Sequence, residues 1–329
     1  MSNDKITIIY SHSFKKIRGG IQLWTENIYN LFILKNYSIS IFYLYELKFF
    51  DFVSIIKKNI FSNIFILMTW KMLISVIPAL ILSMLSNKKY FYIFIHGDDI
   101  LSLSKIEILF IKAIIKLNNV KIISNSQNTA FMFFKNFNYQ VDLVCYPFIS
   151  TNINRSIRKK NVNIFLTITR LVPRKNIINT LKALNNLRDS GYKFIYYIVG
   201  DGPEKKQIQN YVKSNSLDNC VKLLGNISED KKNALLQKSN IFLLPSIHDN
   251  INGSIEGYGI AYIEANLYGI PVISGNTGGA TEAVINNSTG IHTDGSELGI
   301  ELAIKSLIKK PLNYHEIIDH AYKHDCTKQ

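Results

Sequence analysis

The stretch that decides the fold is the apolar run NIFLLPS, Asn240 to Ser246, followed by EGYGIAYIEANLYGIPVIS from Glu256 to Ser274. Gly257 and Gly259 permit close backbone approach and a tight entry into a helix. Such an entry leaves N–H groups without intrahelical partners and points the positive end of the helix dipole at whatever sits beyond the strand ends, a setting that suits a phosphate. Glu264 lies eight residues after Glu256, about two helical turns on. One carboxylate therefore sits in the loop before the helix and the other reaches past its first turns. Carboxylates accept hydrogen bonds from hydroxyls, and sugars offer hydroxyls in pairs.

Working outward from this stretch, short apolar runs alternate with helical patterns along the whole chain. KITIIY, SISIFYLY, NIFILM, YFYIFIH, VKIIS and VDLVCYP read as strands, separated by helices near 21–34, 72–86, 103–117 and 127–136. A polar, basic segment at 149–161 without periodicity reads as a linker, and a second strand series follows: NIFLTITR, KFIYYIVG, VKLLG, NIFLLP and IPVIS. This is the rhythm of parallel α/β sheets. A length of 329 residues fits two such domains. Because open α/β sheets bind ligands beyond the carboxyl ends of their strands, the ligand is expected in a cleft between two facing sheets.

TITRLVPRKN places Arg170, Arg174 and Lys175 just past a strand end around a Val-Pro turn. Basic side chains there can neutralise a departing diphosphate. The plainer reading is that Arg174 and Lys175 solvate the start of the next helix. His96, at the end of YFYIFIH, is either a hydrogen-bonded structural residue or a group that works beside a ligand. Asp98 and Asp99 are two adjacent carboxylates, too few for a hard-cation cage. GDGP at 200–203 lacks the G-x-G-x-x-G spacing, and the P-loop, H-E-x-x-H and G-x-S-x-G patterns are missing, which removes the commonest dehydrogenase, ATPase, metalloprotease and hydrolase readings.

The net charge of +14 is unevenly distributed: residues 1–160 hold 20 Lys and Arg against 8 Asp and Glu, and the remainder holds 18 against 16. The first half therefore attracts anionic surfaces. Nucleic-acid signatures are missing, so a membrane surface is the better expectation. In LSLSKIEILFIKAIIKLNN, Lys105, Lys112 and Lys116 share one helical face while Ile, Leu and Phe cover much of the rest, either a basic amphipathic helix or a core helix with a solvated lysine face. The opening MSNDKITIIYSHS reads as a first strand rather than a secretory signal, and Cys145, Cys220 and Cys326 show no metal or redox spacing. Both features predict a protein that stays in the reducing cytoplasm. Lys71 and Pro78 interrupt the apolar run at 60–86, which argues against a spanning helix.

In the order and spacing of these strings the chain resembles the family-4 retaining glycosyltransferases of the GT-B fold. Glu256 and Glu264 match that family's two glutamates, Arg170 and Lys175 its basic pair, and Gly19-Gly20-Ile21-Gln22 its glycine loop after the first strand. VGDGPEKKQIQ, VKLLGNIS, NIFLLPS and SGNTGGATEAV also fit, and the match is strongest from 164 to 292. The resemblance implies two Rossmann-like domains facing each other across a donor-binding cleft: an acceptor-side domain at 1–150, a nucleotide-sugar domain at 161–310, and a terminal helix at 311–329 crossing back to the first domain. The first domain is shorter than usual, and the end reads as an early stop.

The resemblance further implies that Glu256 holds donor-sugar hydroxyls, that Gly257, Tyr258, Gly259 and Ile260 offer backbone N–H groups to the distal phosphate, and that Glu264 binds the ribose. Arg170 and Lys175 would stabilise the departing diphosphate, Gly19 and Gly20 would approach it, Gly225 and Ile227 would lie near the base, and His96 near donor sugar and acceptor. The expected activity is transfer of a sugar, with retention, from a UDP- or GDP-linked donor to a glycan or lipid-linked acceptor in polysaccharide or lipopolysaccharide assembly, without cofactor or catalytic metal. The expected place is the cytoplasm, peripherally on the inner face of the membrane. The alternatives are a catalytically weak or truncated sugar-nucleotide-binding protein and a GT-B nucleotide-sugar epimerase, which would turn over donor without added acceptor.

Overall fold

The computed structural model describes residues 5–10, 20–43, 62–77, 81, 89–101, 103–149, 163–249, 251 and 253–324. The chain divides into two units, Met1–Ser150 and Thr151–Gln329. Of the linker expected at 149–161, only Ile149 is among the described residues, and Gly19 lies outside them.

In the first unit β1 (Lys5–Tyr10), β2 (Ser38–Tyr43), β3 (Ile64–Leu67), β4 (Tyr90–Ile95), β5 (Val120–Ser124) and β6 (Leu143–Val144) form one sheet in the order β2-β1-β3-β4-β5-β6, every pairing parallel. The helices are α1 (Gly20–Leu34), α2 (Gly97–Leu101), α3 (Lys105–Ile114) and α4 (Gln127–Phe137). The strands are apolar on both faces, as strands covered by helices on either side must be. Phe65 and Phe91 stack in register at 5.0 Å, and Ile111, Ile114, Phe133 and Phe137 from α3 and α4 close over them in one core. Of the helix expected over 72–86, the residues as far as Val76 belong to a 3₁₀ turn, Trp70–Val76, capped by Thr69, while Ile77 and Ile81 are helical and the other positions from 78 to 86 lie outside the described residues.

The second unit contains β7 (Asn163–Ile168), α5 (Ile177–Asp189), β8 (Phe194–Val199), α6 (Lys205–Ser214), β9 (Val221–Gly225), α7 (Glu229–Lys238), β10 (Ile241–Leu244), α8 (Ile260–Leu267), β11 (Val272–Gly275), α9 (Ala280–Ala283), β12 (Gly290–Thr293), α10 (Glu297–Lys309) and α11 (Tyr314–Tyr322). Its parallel sheet runs β12-β11-β10-β7-β8-β9. From β7 the chain first winds one way through β8 and β9, then returns to β10 on the other side. That reversal opens a crevice beyond the carboxyl ends of β7 and β10. The core beneath it is built from Phe165, Leu184, Ile198, Ile208 and Ile304.

The terminal segment, expected to cross back to the first domain, packs within its own unit as far as it is described. Ile317, Ile318 and Ala321 of α11 are buried, and the Tyr314 ring occupies the space a side chain at Gly269 would need, so α11 lies on α8. Among the described residues no helix is long and apolar enough to cross a membrane.

Candidate functional site

The crevice at β7 and β10 is lined by charge that the local sequence forces inward. After β7, Pro173 opens a 3₁₀ turn that ends at Asn176 in the left-handed conformation, φ 59°. Asn176 donates to the carbonyls of Pro245 and Gly295 at 3.2 and 2.7 Å, and the Arg174 carbonyl accepts from the Ile247 N–H at 2.8 Å. These ties fix the basic turn against the segment that leaves β10. As a result Lys175 is buried rather than solvating the start of α5.

Glu256 is buried opposite this turn. Lys175 and Arg174 both pair with its Oε2, Arg174 at 3.1 Å, and Ser246 donates to the same oxygen at 3.1 Å. Burial pushes the Glu256 carboxyl up, but the charges of Lys175 and Arg174 and the hydrogen bonds from Lys175 and Ser246 outweigh it and hold the group down at about 2. Glu256 is therefore an anion fixed between two cations. Arg174, read from sequence with two meanings, belongs to the site, and so does Ser246, which the sequence marks only by its place directly after a strand.

Glycines hold the Glu256 loop against the sheet. A side chain at Gly275 would overlap the Ser246 carbonyl oxygen, and one at Gly279 would overlap the Gly257 carbonyl oxygen. The Gly279 N–H instead donates to the Glu256 carbonyl at 2.8 Å. Gly259 enters α8 at φ 93°, a conformation that disfavours L side chains, with the Tyr262 ring in the space beside it. Tyr262 donates to the Leu244 carbonyl at 2.9 Å and ties α8 to the end of β10. The N–H groups of Gly257, Gly259 and Ile260 make no hydrogen bond among the described residues and follow Glu256 in the chain at the start of α8. Unpaired N–H groups at a helix start can receive an anion. Tyr258 turns its side chain inward, its hydroxyl 3.2 Å from His324 Nε2.

Glu264, on α8, pairs through Oε1 with Lys232 at 2.8 Å, and Lys232 also meets Glu229 at 2.8 Å. Burial lowers the affinity of the Lys232 amine for its proton, but the two carboxylates outweigh it and hold it well above the ordinary lysine value. Lys232 escaped the sequence reading because 32 residues separate it from Glu264. Arg170 is exposed past β7 and makes no ion pair among the described residues. Its backbone is clamped by the GDGP turn: Leu171 donates to the Asp201 carbonyl at 2.9 Å, and a side chain at Gly200 would overlap the Thr169 carbonyl oxygen. Gly225 ends β9 at φ 62°, and the partly buried Ile227 follows.

In the first unit His96 is buried at the end of β4, its Nε2 2.8 Å from the Met68 carbonyl beyond β3 and its ring edge-on to Trp24. Gly20 begins α1. Asp99 is half-buried near His96; burial raises its carboxyl, partly offset by His96 and Lys71. Among the described residues no group of three or more His, Cys, Asp or Glu is placed to hold a cation.

Comparison with known proteins agrees with this architecture. Anabaena Alr3699/HepE, solved in complex with UDP and glucose, superposes with a TM-score of 0.78 over 99% of this chain and 96% of that one, at 18% identity. Sucrose-phosphate synthase from Thermosynechococcus elongatus superposes with a TM-score of 0.77 over 98% and 94%, at 13% identity. The fold is GT-B. In sequence, the GDP-mannose-dependent alpha-(1-6)-phosphatidylinositol monomannoside mannosyltransferase of Mycobacterium tuberculosis is 33% identical over 128 residues, 39% of this chain and 33% of that protein. The amylovoran biosynthesis glycosyltransferase AmsK of Erwinia amylovora is 32% identical over 125 residues, 38% and 30%. The aligned stretch spans about a third of the length of these relatives. The family model for glycosyl transferases group 1 matches residues 149–324, more than half of the chain and all of the Glu256 site, and the protein belongs to that family.

Proposed function

We propose that the protein is a retaining, hexosyl-type glycosyltransferase that moves a sugar from a UDP- or GDP-linked donor to a glycan or lipid-linked acceptor in the assembly of a surface polysaccharide, lipopolysaccharide or glycolipid. The observation that carries this reading is the buried Glu256 anion held by Lys175 and Arg174 beside N–H groups at the start of α8. Glu256 accepts hydrogen bonds from donor-sugar hydroxyls, and the N–H groups of Gly257 to Ile260 receive the distal phosphate. Lys175 has three N–H donors and Arg174 five, enough to hold Glu256 and phosphate oxygens together. Arg170, exposed at the strand end, adds a further cation for the leaving group. Glu264 takes the ribose hydroxyls and Gly225 and Ile227 border the base; the family resemblance assigns Gly19 and Gly20 to the diphosphate and His96 to the reacting sugar.

In the reaction, the acceptor oxygen bonds to the anomeric carbon on the face from which the phosphate departs. The bond to the phosphate oxygen breaks, and the acceptor proton passes to that leaving phosphate. The motifs of the sequence mark no carboxylate as a nucleophile of the kind retaining glycosidases use, which favours this same-face course. The cationic turn neutralises the diphosphate, so the reaction needs no cofactor and no metal at its centre. Support for a nucleoside-diphosphate donor comes from the solved likeness that holds UDP and glucose and from the relative named for GDP-mannose. Support for a polymer or lipid-linked acceptor comes from relatives named for amylovoran biosynthesis and phosphatidylinositol mannoside. The enzyme works in the cytoplasm against the inner face of the membrane.

The test is release of nucleoside diphosphate from UDP- and GDP-sugars with and without a membrane extract as acceptor source. Release that depends on the extract supports transfer. Turnover without acceptor supports an epimerase, and no turnover with retained nucleotide binding supports a binding protein.

A further inference from the structure

The first unit holds twelve of the sixteen large hydrophobic side chains that stand exposed among the described residues. Four of them lie on the outward faces of α3 and α4: Ile106 and Leu109, 81% and 72% exposed, and Phe131 and Phe134, 55% and 46%. The inward faces of the same helices supply Ile111, Ile114, Phe133 and Phe137 to one core, so α3 and α4 cover the same side of the sheet and show their other faces to solvent. Both helices therefore leave large apolar side chains outward on one side of the sheet, and exposed apolar surface that is extensive marks an interaction site.

The charges beside these side chains are one-sided. Lys105, Lys112 and Lys116 are exposed along α3 and the turn after it, and none forms an ion pair among the described residues. At 100° per residue they fall within a narrow stripe, with Leu109 and then Ile106 along one side of it. On α4, Lys135 lies over the Phe131 ring at 4.5 Å. The one acidic side chain on α3 is Glu107, which closes a capping box with Ser104 through hydrogen bonds of 2.7 and 3.3 Å and is committed to the helix start. Exposed aliphatic and aromatic carbon beside a lysine stripe matches a lipid surface, where carbon enters the acyl boundary and ammonium groups meet anionic headgroups. A nucleic acid would use the lysines and leave the carbon without a partner.

We propose that the outward faces of α3 and α4 dock this protein on an anionic lipid bilayer. The inference deepens the reading of the protein as a peripheral enzyme by assigning the surface, and its failure leaves the donor site untouched.

The experiment is co-sedimentation of the full chain with vesicles of phosphatidylcholine alone and of phosphatidylcholine mixed with phosphatidylglycerol, at two salt concentrations. Wild type is expected to bind the anionic vesicles at least about tenfold more tightly, with the difference shrinking at high salt. K105E/K112E/K116E is expected to lose on the order of a hundredfold, and I106D/L109D about tenfold or more. Both variants should keep the thermal response of wild type to nucleoside diphosphate, which separates failure of docking from failure to fold. Equal binding to both vesicle types would overturn the proposal. So would I106D/L109D binding as wild type, which would mark a polyanion site, or a wild-type dimer without vesicles that I106D/L109D converts to monomer, which would mark a self-association face.

Discussion

The two sheets share one parallel plan and place their charge in opposite ways. In the second unit Glu256 and Lys175 are buried, Arg174 is partly so, and the three are fixed to one another. In the first unit the lysines of α3 stay in water beside exposed carbon. A ligand of fixed shape and charge rewards groups that are already oriented, since no reorganisation is needed when it binds. A partner that is a surface rewards groups that remain in solvent and act together. The same fold accommodates both because strand ends in one unit and helix backs in the other are far less constrained than the sheets beneath them.

The contrast breaks first at Glu256. E256Q removes the buried carboxylate charge that Lys175 and Arg174 both pair with and is expected to cost about 3–5 kcal/mol in denaturant unfolding, together with loss of transfer. A stable, active E256Q would mean that the buried network is incidental. Next is the glycine packing: G279A forces a methyl group against the Gly257 carbonyl and is expected to cost about 1–3 kcal/mol, with weakened nucleotide binding because the loop before α8 must shift. Unchanged binding in a folded G279A would detach that loop from the donor site.

A smaller effect is set by pH. Burial holds His324 down at about 4, helped by the charges of His320 and Lys323, against an ordinary value of 6.5. Between those two values the unfolded chain takes a proton that the folded chain refuses, so stability falls as pH falls through that window. The melting temperature should drop on acidification from pH near 7 towards 4.5, and H324Q, which keeps a polar group near Tyr258 but cannot titrate, should drop less. The same slope in H324Q would assign the loss to other groups. The smallest effect is on the first unit's surface. I106D/L109D should change unfolding free energy by no more than about 0.5 kcal/mol per site, and a large loss would place those side chains in a packed contact.

Most of the sheet plan was legible because buried parallel strands appear as short apolar runs, from KITIIY to IPVIS, whatever their neighbours. β12 escaped because its four residues, GIHT, are two apolar or small positions broken by a histidine and a threonine. The start of the helix expected over 72–86 differs, winding as 3₁₀ over Trp70–Val76, because a continuous apolar run carries no period that fixes the winding. In the site, Glu256 and Lys175 were each readable from their strings. Their pairing was not, because it spans 81 residues and depends on Asn176 and the glycines pressing two loops together. Arg170 and Arg174 looked alike in sequence, and only the turn at Pro173 turns one inward and leaves the other in solvent.

The central claim is that the second unit holds a nucleoside diphosphate at the Glu256 loop. Thermal shift of the full chain against UDP, GDP, ADP and CMP tests it most directly, because a ligand that binds only the folded state raises its apparent stability. A clear rise with UDP or GDP that is lost in G279A is expected, and no rise with any of the four would rule out a nucleoside diphosphate at this loop.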